Sequence, residues 1–304
     1  RWYEVTGVQT CALPIWLQGR APLKPFEEVE KLKQGCSTIF HSVDDELGGQ
    51  FDQMQSLGLL DLDNRKGKAP GGYQSTLDEV RLPFIFMNAV GVDGDVRTLL
   101  HEGGHAFHAF AAAPQKLSDY RHAPMEFSEV ASMAMELLGS PHIDEFYAGD
   151  DLVRARREFL EDIIVYLPWY ATIDQFQQWV YTHEGHGIDE RLDAWVKTFR
   201  RFNGDVDYSG LEEIERHRWQ QQGHLFWVPF YYIEYAIAQI GALQVWLNTK
   251  QDRPNALKQY RHALSLGGSK PLPELFKAAG GRFGMDAETL KPLVEALEEE
   301  IASI

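Results

Sequence analysis

The chain has 304 residues, 44% hydrophobic and 24% charged, with a formal net charge of −16. That length and apolar content allow one large domain or two ordinary ones with a real core. The negative charge excludes nucleic acid and anionic membranes as partners, because both would repel it. Two cysteines, Cys11 and Cys36, exclude a disulfide framework and a four-thiolate zinc site, and they fit a reducing, cytoplasmic setting.

In chain order, residues 1–16, RWYEVTGVQTCALPIW, read as a translated sequencing-library adapter and are set aside from fold reasoning. From Pro22 to about Leu60 apolar residues recur at helical spacing (Phe26, Val29, Leu32; then Phe51, Met54, Leu57), which predicts two helices. DLDNRKGKAPGGYQ, 61–74, is a loop by its Gly, Pro and Asp content; it lacks the Ser or Thr that a phosphate-binding GxxxxGK loop requires. RLPFIFMNAVG, 81–91, is the best strand, short and aromatic-rich between Pro83 and Gly91.

Asp93 and Asp95 offer caps for a helix from about Val96 to Ala113, which Pro114 ends. A second helix begins near Pro124 and carries MEFSEVASMAMELL. Residues 142–202 read as long helices with a break near Pro168, 223–248 as a mostly apolar helix, and three shorter helical segments finish the chain. Pro229, Glu234, Gln239 and Gln244 argue that FWVPFYYIEYAIAQIGALQVW, 226–246, is a core helix and not a membrane span. The architecture expected is mainly α, with one small β-sheet.

The chemistry concentrates in TLLHEGGHAFHAF, 98–110. Residues four apart lie on one helix face, so His101 and His105 can turn both imidazoles toward one metal ion. Glu102, beside that face, can reach a water that the ion activates; this is the physical content of HExxH in zinc hydrolases. Gly103 and Gly104 each cost ~1 kcal/mol inside a helix, so something must approach closely there: a strand, a substrate backbone or another helix.

A catalytic zinc needs a third protein ligand. His108 shares the stripe, but seven residues along a helix span ~10 Å, too far for one ion, so it belongs to packing or to the surroundings of the site. The metzincin pattern requires a glycine and a histidine at the positions where this chain has His108 and Ala111. A glutamate nineteen or twenty residues past His105 would have to stand at Pro124 or Met125. The next acidic residues are Glu126, Glu129 and Glu136 on the following helix. THEGHG, 182–187, has its histidines three apart among glycines and reads as a turn.

HEGGHAFH followed by EFSEVASMAMELL resembles the oligoendopeptidase F and thimet oligopeptidase family of zinc peptidases. KGKAPGGY (66–73), PFIFMNAVG (83–91) and GHLFWVPFYYIEYA (223–236) extend the likeness across about residues 17–304, the C-terminal catalytic half of such enzymes. The resemblance implies a multi-helix zincin-type domain with its small sheet beside the active-site helix, and one Zn2+ per chain held by His101, His105 and Glu129 of Phe127-Ser128-Glu129. It implies Glu102 as general base, and His224 with one of Tyr231, Tyr232 and Tyr235 stabilising the oxyanion. The spacing from His224 to the tyrosines is about a residue longer than in the family, which leaves the choice among them open.

A strand at 84–88 can pair with an extended peptide through its edge. Phe86, Asn88 and Ala89, with a loop of Gly71, Gly72 and Tyr73 over the site, are the substrate-binding candidates. The activity implied is hydrolysis of peptide bonds in short oligopeptides; the alternative is a non-catalytic, or truncated and inactive, peptide-binding relative. Oligomeric state is not legible.

Overall fold

The computed structural model describes residues 20–69, 71–203 and 206–304, so the segment read as adapter, with Cys11, lies outside the described residues. The described chain divides into two compact units: Pro22–Leu160 with Ile237–Ile304, and Glu161–Ala236.

The first unit opens with the two expected helices, α1 (Val29–Val43) and α2 (Asp45–Ser56). Asp44 separates them and caps α2, its carboxylate accepting from the N–H groups of Glu46 and Leu47. The loop expected at 61–74 is shorter than its composition indicated, because both ends are strands: β1 (Leu60–Asp63) and β2 (Tyr73–Leu77). These polar runs take strand geometry from β3 (Leu82–Ala89), which pairs parallel with β1 and antiparallel with β2 in the order β1-β3-β2. Backbone pairing across a sheet leaves no trace in the composition of a short edge strand.

Pro83, Ile85, Met87 and Ala89 of β3 point into the core, and α3 (Asp93–Ala112) packs across the sheet behind them. Asp95 anchors the start of α3 by accepting the N–H groups of Val90, Gly91 and Val92 at 2.8–3.0 Å. Against α3 lies α4 (Met125–Gly139), buried along most of its length. Short 3-10 turns at Asp119–Arg121 and Ser140–Glu145 flank α4.

Helix α5 (Gly149–Thr182) runs through Pro168 without the expected break. The missing N–H leaves the Ile164 carbonyl without its helical donor, and Ile164 is among the exposed residues, so water can satisfy it. Past α5, Gly185 at φ 78° makes the turn expected for THEGHG. The second unit continues with α6 (Ile188–Phe202), α7 (Glu212–His217), a 3-10 turn and the four-residue α8 (His224–Trp227). Trp169, Ile173, Phe176, Trp195, Phe199 and Trp219 form its core.

One long helix was expected at 223–248, but the chain breaks after Trp227 and resumes as α9 (Ile233–Ser265). Pro229 cannot donate in a helix interior, and Phe230 adopts φ 65°, which reverses the chain. Helix α9 kinks at Asp252 (φ −149°, ψ 83°). Its second arm, α10 (Leu272–Ala278) and α11 (Ala287–Ser303) are the three shorter segments expected at the end. Among the described residues no helix is long and apolar enough to cross a membrane.

Candidate metal centre

The two histidines and Glu129 meet inside the first unit because α3 and α4 touch backbone to backbone. A methyl group on Gly104 would lie 2.6 Å from the Ala131 carbonyl oxygen and the Ser132 Cα of α4, and one on Gly103 would lie 2.4 Å from the Phe40 ring. The close approach that the glycines signalled is therefore packing within the protein and not a substrate backbone. It brings Glu129, two residues before Ala131, to the face that carries the histidines.

Glu129 Oε2 lies 3.2 Å from His101 Nε2 and 3.6 Å from His105 Nε2. The two rings are 4.9 Å apart and nearly perpendicular, at 81°. One donor atom from each of His101, His105 and Glu129 falls within 4.8 Å of the others. A tetrahedral ion with bonds of ~2.0–2.1 Å separates its ligand atoms by ~3.3 Å. The two measured edges bracket that value, so the donor set fits a divalent cation of zinc's size and ligand preference.

Each of the three also has a further partner. His101 Nδ1 faces Glu136 Oε1 at 2.7 Å, the His105 ring donates to the Ser128 carbonyl, and Ser132 Oγ donates to Glu129 Oε2 at 3.0 Å. Such partners fix ring orientation and tautomer in histidine metal sites. The sequence marks Glu136 only as one of three acidic residues on that helix, and Ser128 and Ser132 carry no separate signal.

The electrostatics follow from this crowding. Burial opposes a charge on His101, but hydrogen bonds to Glu129 and Glu136 outweigh it and hold His101 well above the ordinary histidine range. Burial and the neighbouring His101 push His105 down to about 4. For Glu129 burial acts upward, yet the hydrogen bond from His101 and the histidine charges hold it down at about 2. The site is arranged for one positive charge between the Glu129 carboxylate and two imidazoles.

Glu102 is buried on the adjoining face, and its carboxylate accepts the backbone N–H of Gln74 in β2; burial raises its pKa. His108 is packing: it lies edge-on to Phe127 at 6.1 Å, its Nε2 has no hydrogen-bond partner, and burial pushes it down to about 3.

The substrate-binding candidates divide. β2 pairs with residues 82–86 of β3 on one side and β1 pairs with Ile85, Phe86 and Ala89 on the other, so β3 is the central strand and has no free edge at Ile85 and Phe86. β2 is an outer strand, and its backbone reaches Glu102 through the Gln74 N–H. Tyr73 opens β2, half-exposed, stacked on Phe86 at 5.0 Å. Gly71 takes φ 94°, and Gly72 packs against Thr98 and Met87. Asn88 ties the preceding loop down by donating to the Ala69 carbonyl at 2.8 Å, and Ala89 is buried.

In the second unit His224 stands in a cage of tyrosines, with ring centroids 5.9 Å from Tyr231, 5.0 Å from Tyr232 and 5.8 Å from Tyr235. The Tyr232 hydroxyl accepts the Trp169 indole N–H at 3.1 Å within the core. Tyr231 and Tyr235 are only partly buried.

In the first unit a helix carrying HExxH packs on a small mixed sheet and against α4, which defines a zincin-type helical domain. A family model described as peptidase family M3 matches residues 31–295, and the chain belongs to that family. An oligoendopeptidase F homolog of Borreliella burgdorferi is 23% identical over 257 residues, covering 80% of this chain and 42% of the relative. Oligopeptidase PepF of Bacillus subtilis is 24% identical over 247 residues, covering 77% and 36% respectively. The solved structure of PZ peptidase A with an inhibitor aligns at a TM-score of 0.84 and 31% identity, covering 93% of this chain and 50% of that one. The chain spans half or less of the length of each.

Proposed function

We propose that this protein is a zinc-dependent endopeptidase that hydrolyses short oligopeptides in the cytoplasm. The observation that carries the reading is the triad His101, His105 and Glu129 at tetrahedral ligand spacing, with Glu102 beside it. Membership of peptidase family M3 and the cysteine content support the activity and the compartment.

His101, His105 and Glu129 would hold the ion. When bound, zinc supplies Lewis acidity, which acidifies water and polarises the scissile carbonyl. Glu102, oriented by the Gln74 N–H, accepts the proton of the attacking water and passes it to the leaving amine. The peptide runs along the outer edge of β2, where backbone pairing tolerates varied sequence. His224 and either Tyr231 or Tyr235 donate to the developing oxyanion; Tyr232 is turned toward the Trp169 cluster. Two such donors contribute several kcal/mol to the barrier reduction, by the ~10²–10³-fold effect of removing one.

The test is zinc content and peptide cleavage of the purified chain, Glu129→Ala and Glu102→Gln. One zinc per chain that is lost in Glu129→Ala, with cleavage abolished but zinc retained in Glu102→Gln, is expected. Full turnover by Glu102→Gln would refute the mechanism. Zinc and peptide binding without any cleavage by the unaltered chain would make it a peptide-binding relative instead.

A further inference from the structure

We infer that Gln222 is a positioning residue that fixes His224 in the tautomer protonated at Nε2, making that atom a neutral hydrogen-bond donor. The inference rests on the proposed role of His224, although the tautomer itself is decided by contacts within the second unit alone.

The Gln222 side chain bridges two rings. Its Oε1 lies 3.4 Å from Trp169 Nε1, and its Nε2 lies 2.6 Å from His224 Nδ1. An indole N–H can only donate, so the amide atom facing Trp169 must be the oxygen. The amide nitrogen therefore faces His224, and an amide NH2 can only donate. His224 Nδ1 must accept, which places the ring proton on Nε2. Trp169 sets the orientation of Gln222, and Gln222 sets the tautomer of His224.

The surroundings secure the chain of contacts. Trp169 is 7% exposed and packs edge-on against Trp195 and Phe199. Its one indole N–H is shared between the Tyr232 hydroxyl at 3.1 Å, the nearer acceptor, and Gln222 Oε1 at 3.4 Å, so neither neighbour can turn a donor toward it. His224 is ringed by Tyr231, Tyr232 and Tyr235, and partial burial lowers its pKa, which favours the neutral ring. Gln222 is on an irregular turn, with ψ 89° just before α8, so no helical pattern announces it in the sequence.

A donor of this kind suits an oxyanion. It needs no proton taken up from solvent, so it works across the neutral range, whereas an imidazole protonated only at Nδ1 would turn a lone pair toward the developing negative charge. Exchanging the amide for a carboxylate reverses the logic. Gln222→Glu accepts from Nδ1–H, raises the pKa of His224 and leaves Nε2 without a proton once the ring is neutral.

The experiment is ¹⁵N NMR of the ring nitrogens in the full chain labelled at histidine, with His224→Asn to assign the signals. A pyrrole-type Nε2 and a pyridine-type Nδ1 at neutral pH are expected. In Gln222→Glu the pattern inverts, and kcat falls about 10²-fold with KM little changed. The loss recovers at low pH, where the ring is doubly protonated; a merely structural defect has no reason to do that.

A proton on Nδ1 in the unaltered chain, or an unchanged tautomer in Gln222→Glu, overturns the inference. An inverted tautomer with unchanged kcat overturns its connection to the reaction. If the tautomer is as stated but the unaltered chain cleaves no peptide, the proposed activity falls while the positioning of His224 by Gln222 stands.

Discussion

Gly104→Ala puts the junction of α3 and α4 to a direct test. The added Cβ would sit 2.6 Å from the Ala131 carbonyl oxygen and the Ser132 Cα, whereas ordinary contact begins at 3.4 Å, so restoring ordinary contact parts the helices by about 3.4 − 2.6 = 0.8 Å. Both obstructing atoms are backbone, and no rotamer change relieves them. Overpacking of this kind costs ~1–3 kcal/mol, against a gain of ~1 kcal/mol for alanine over glycine in a helix. A net destabilisation of up to about 2 kcal/mol follows.

The functional consequence should be larger than the loss of stability. Glu129 moves with Ala131, and metal–ligand distances tolerate only about ±0.2 Å. Zinc affinity should drop at least about 10-fold, the range seen when ligand positioning is disturbed. Urea denaturation gives the stability, and competition with a chromogenic chelator gives the affinity. Gly49→Ala is the matched control: it is exposed on α2, a Cβ there meets nothing within 4 Å, and the substitution should stabilise the chain by about 0.5–1 kcal/mol. If Gly104→Ala behaves like Gly49→Ala, with zinc affinity unchanged, the account of the α3–α4 contact is wrong.

Two predictions concern the loop that leads into β2. The Lys68 ammonium is all but buried, donating to the Asp61 and Asp63 carbonyls and to Asp61 Oδ1, and it lies 4.6 Å over the Phe86 ring. Lys68→Met strands those acceptors and should cost about 2–3 kcal/mol in denaturant melts; a loss under about 0.5 kcal/mol would refute the clamp. The Arg65 hydrogen bonds, outweighing a smaller effect of burial and aided by Lys68, hold the Asp61 carboxyl down at about 2 against an ordinary 3.8. Its folded pKa lies below the unfolded one, so this contribution is present above about pH 4 and is lost as pH falls toward 2. Hydrogen-exchange protection factors in 61–69, taken relative to the intrinsic rate at each pH, should fall over that interval; constant protection from about pH 5 to 2 would contradict it.

What the sequence by itself determined was local. Helical periodicity places His101 and His105 on one face because i and i+4 superpose in any α-helix, whatever surrounds it. Apolar spacing marked α1 and α2, capping aspartates and prolines marked α3 and the start of α4, and the end of the chain showed its three segments. Tertiary structure decided whatever depended on a partner distant in sequence. DLD and YQSTL became strands only because β3 lay beside them, and that pairing makes β3 central instead of an accessible edge. The glycine pair announced a close approach without naming the neighbour, which proved to be Phe40 and the backbone of α4.

Glu129 shows the boundary between the two. Its candidacy came from a resemblance, because the twenty-four positions separating it from His105 impose no geometry. Only the packing of α4 on α3 brings its carboxylate to 3.2 Å and 3.6 Å from the two imidazoles. Gln222 lies further beyond the reach of sequence. A glutamine in a turn carries no periodic signal, and its part in the site depends on which way a buried tryptophan points its N–H. Covalent geometry writes local regularities into the sequence, while the orientation of one side chain by another is settled when the core closes.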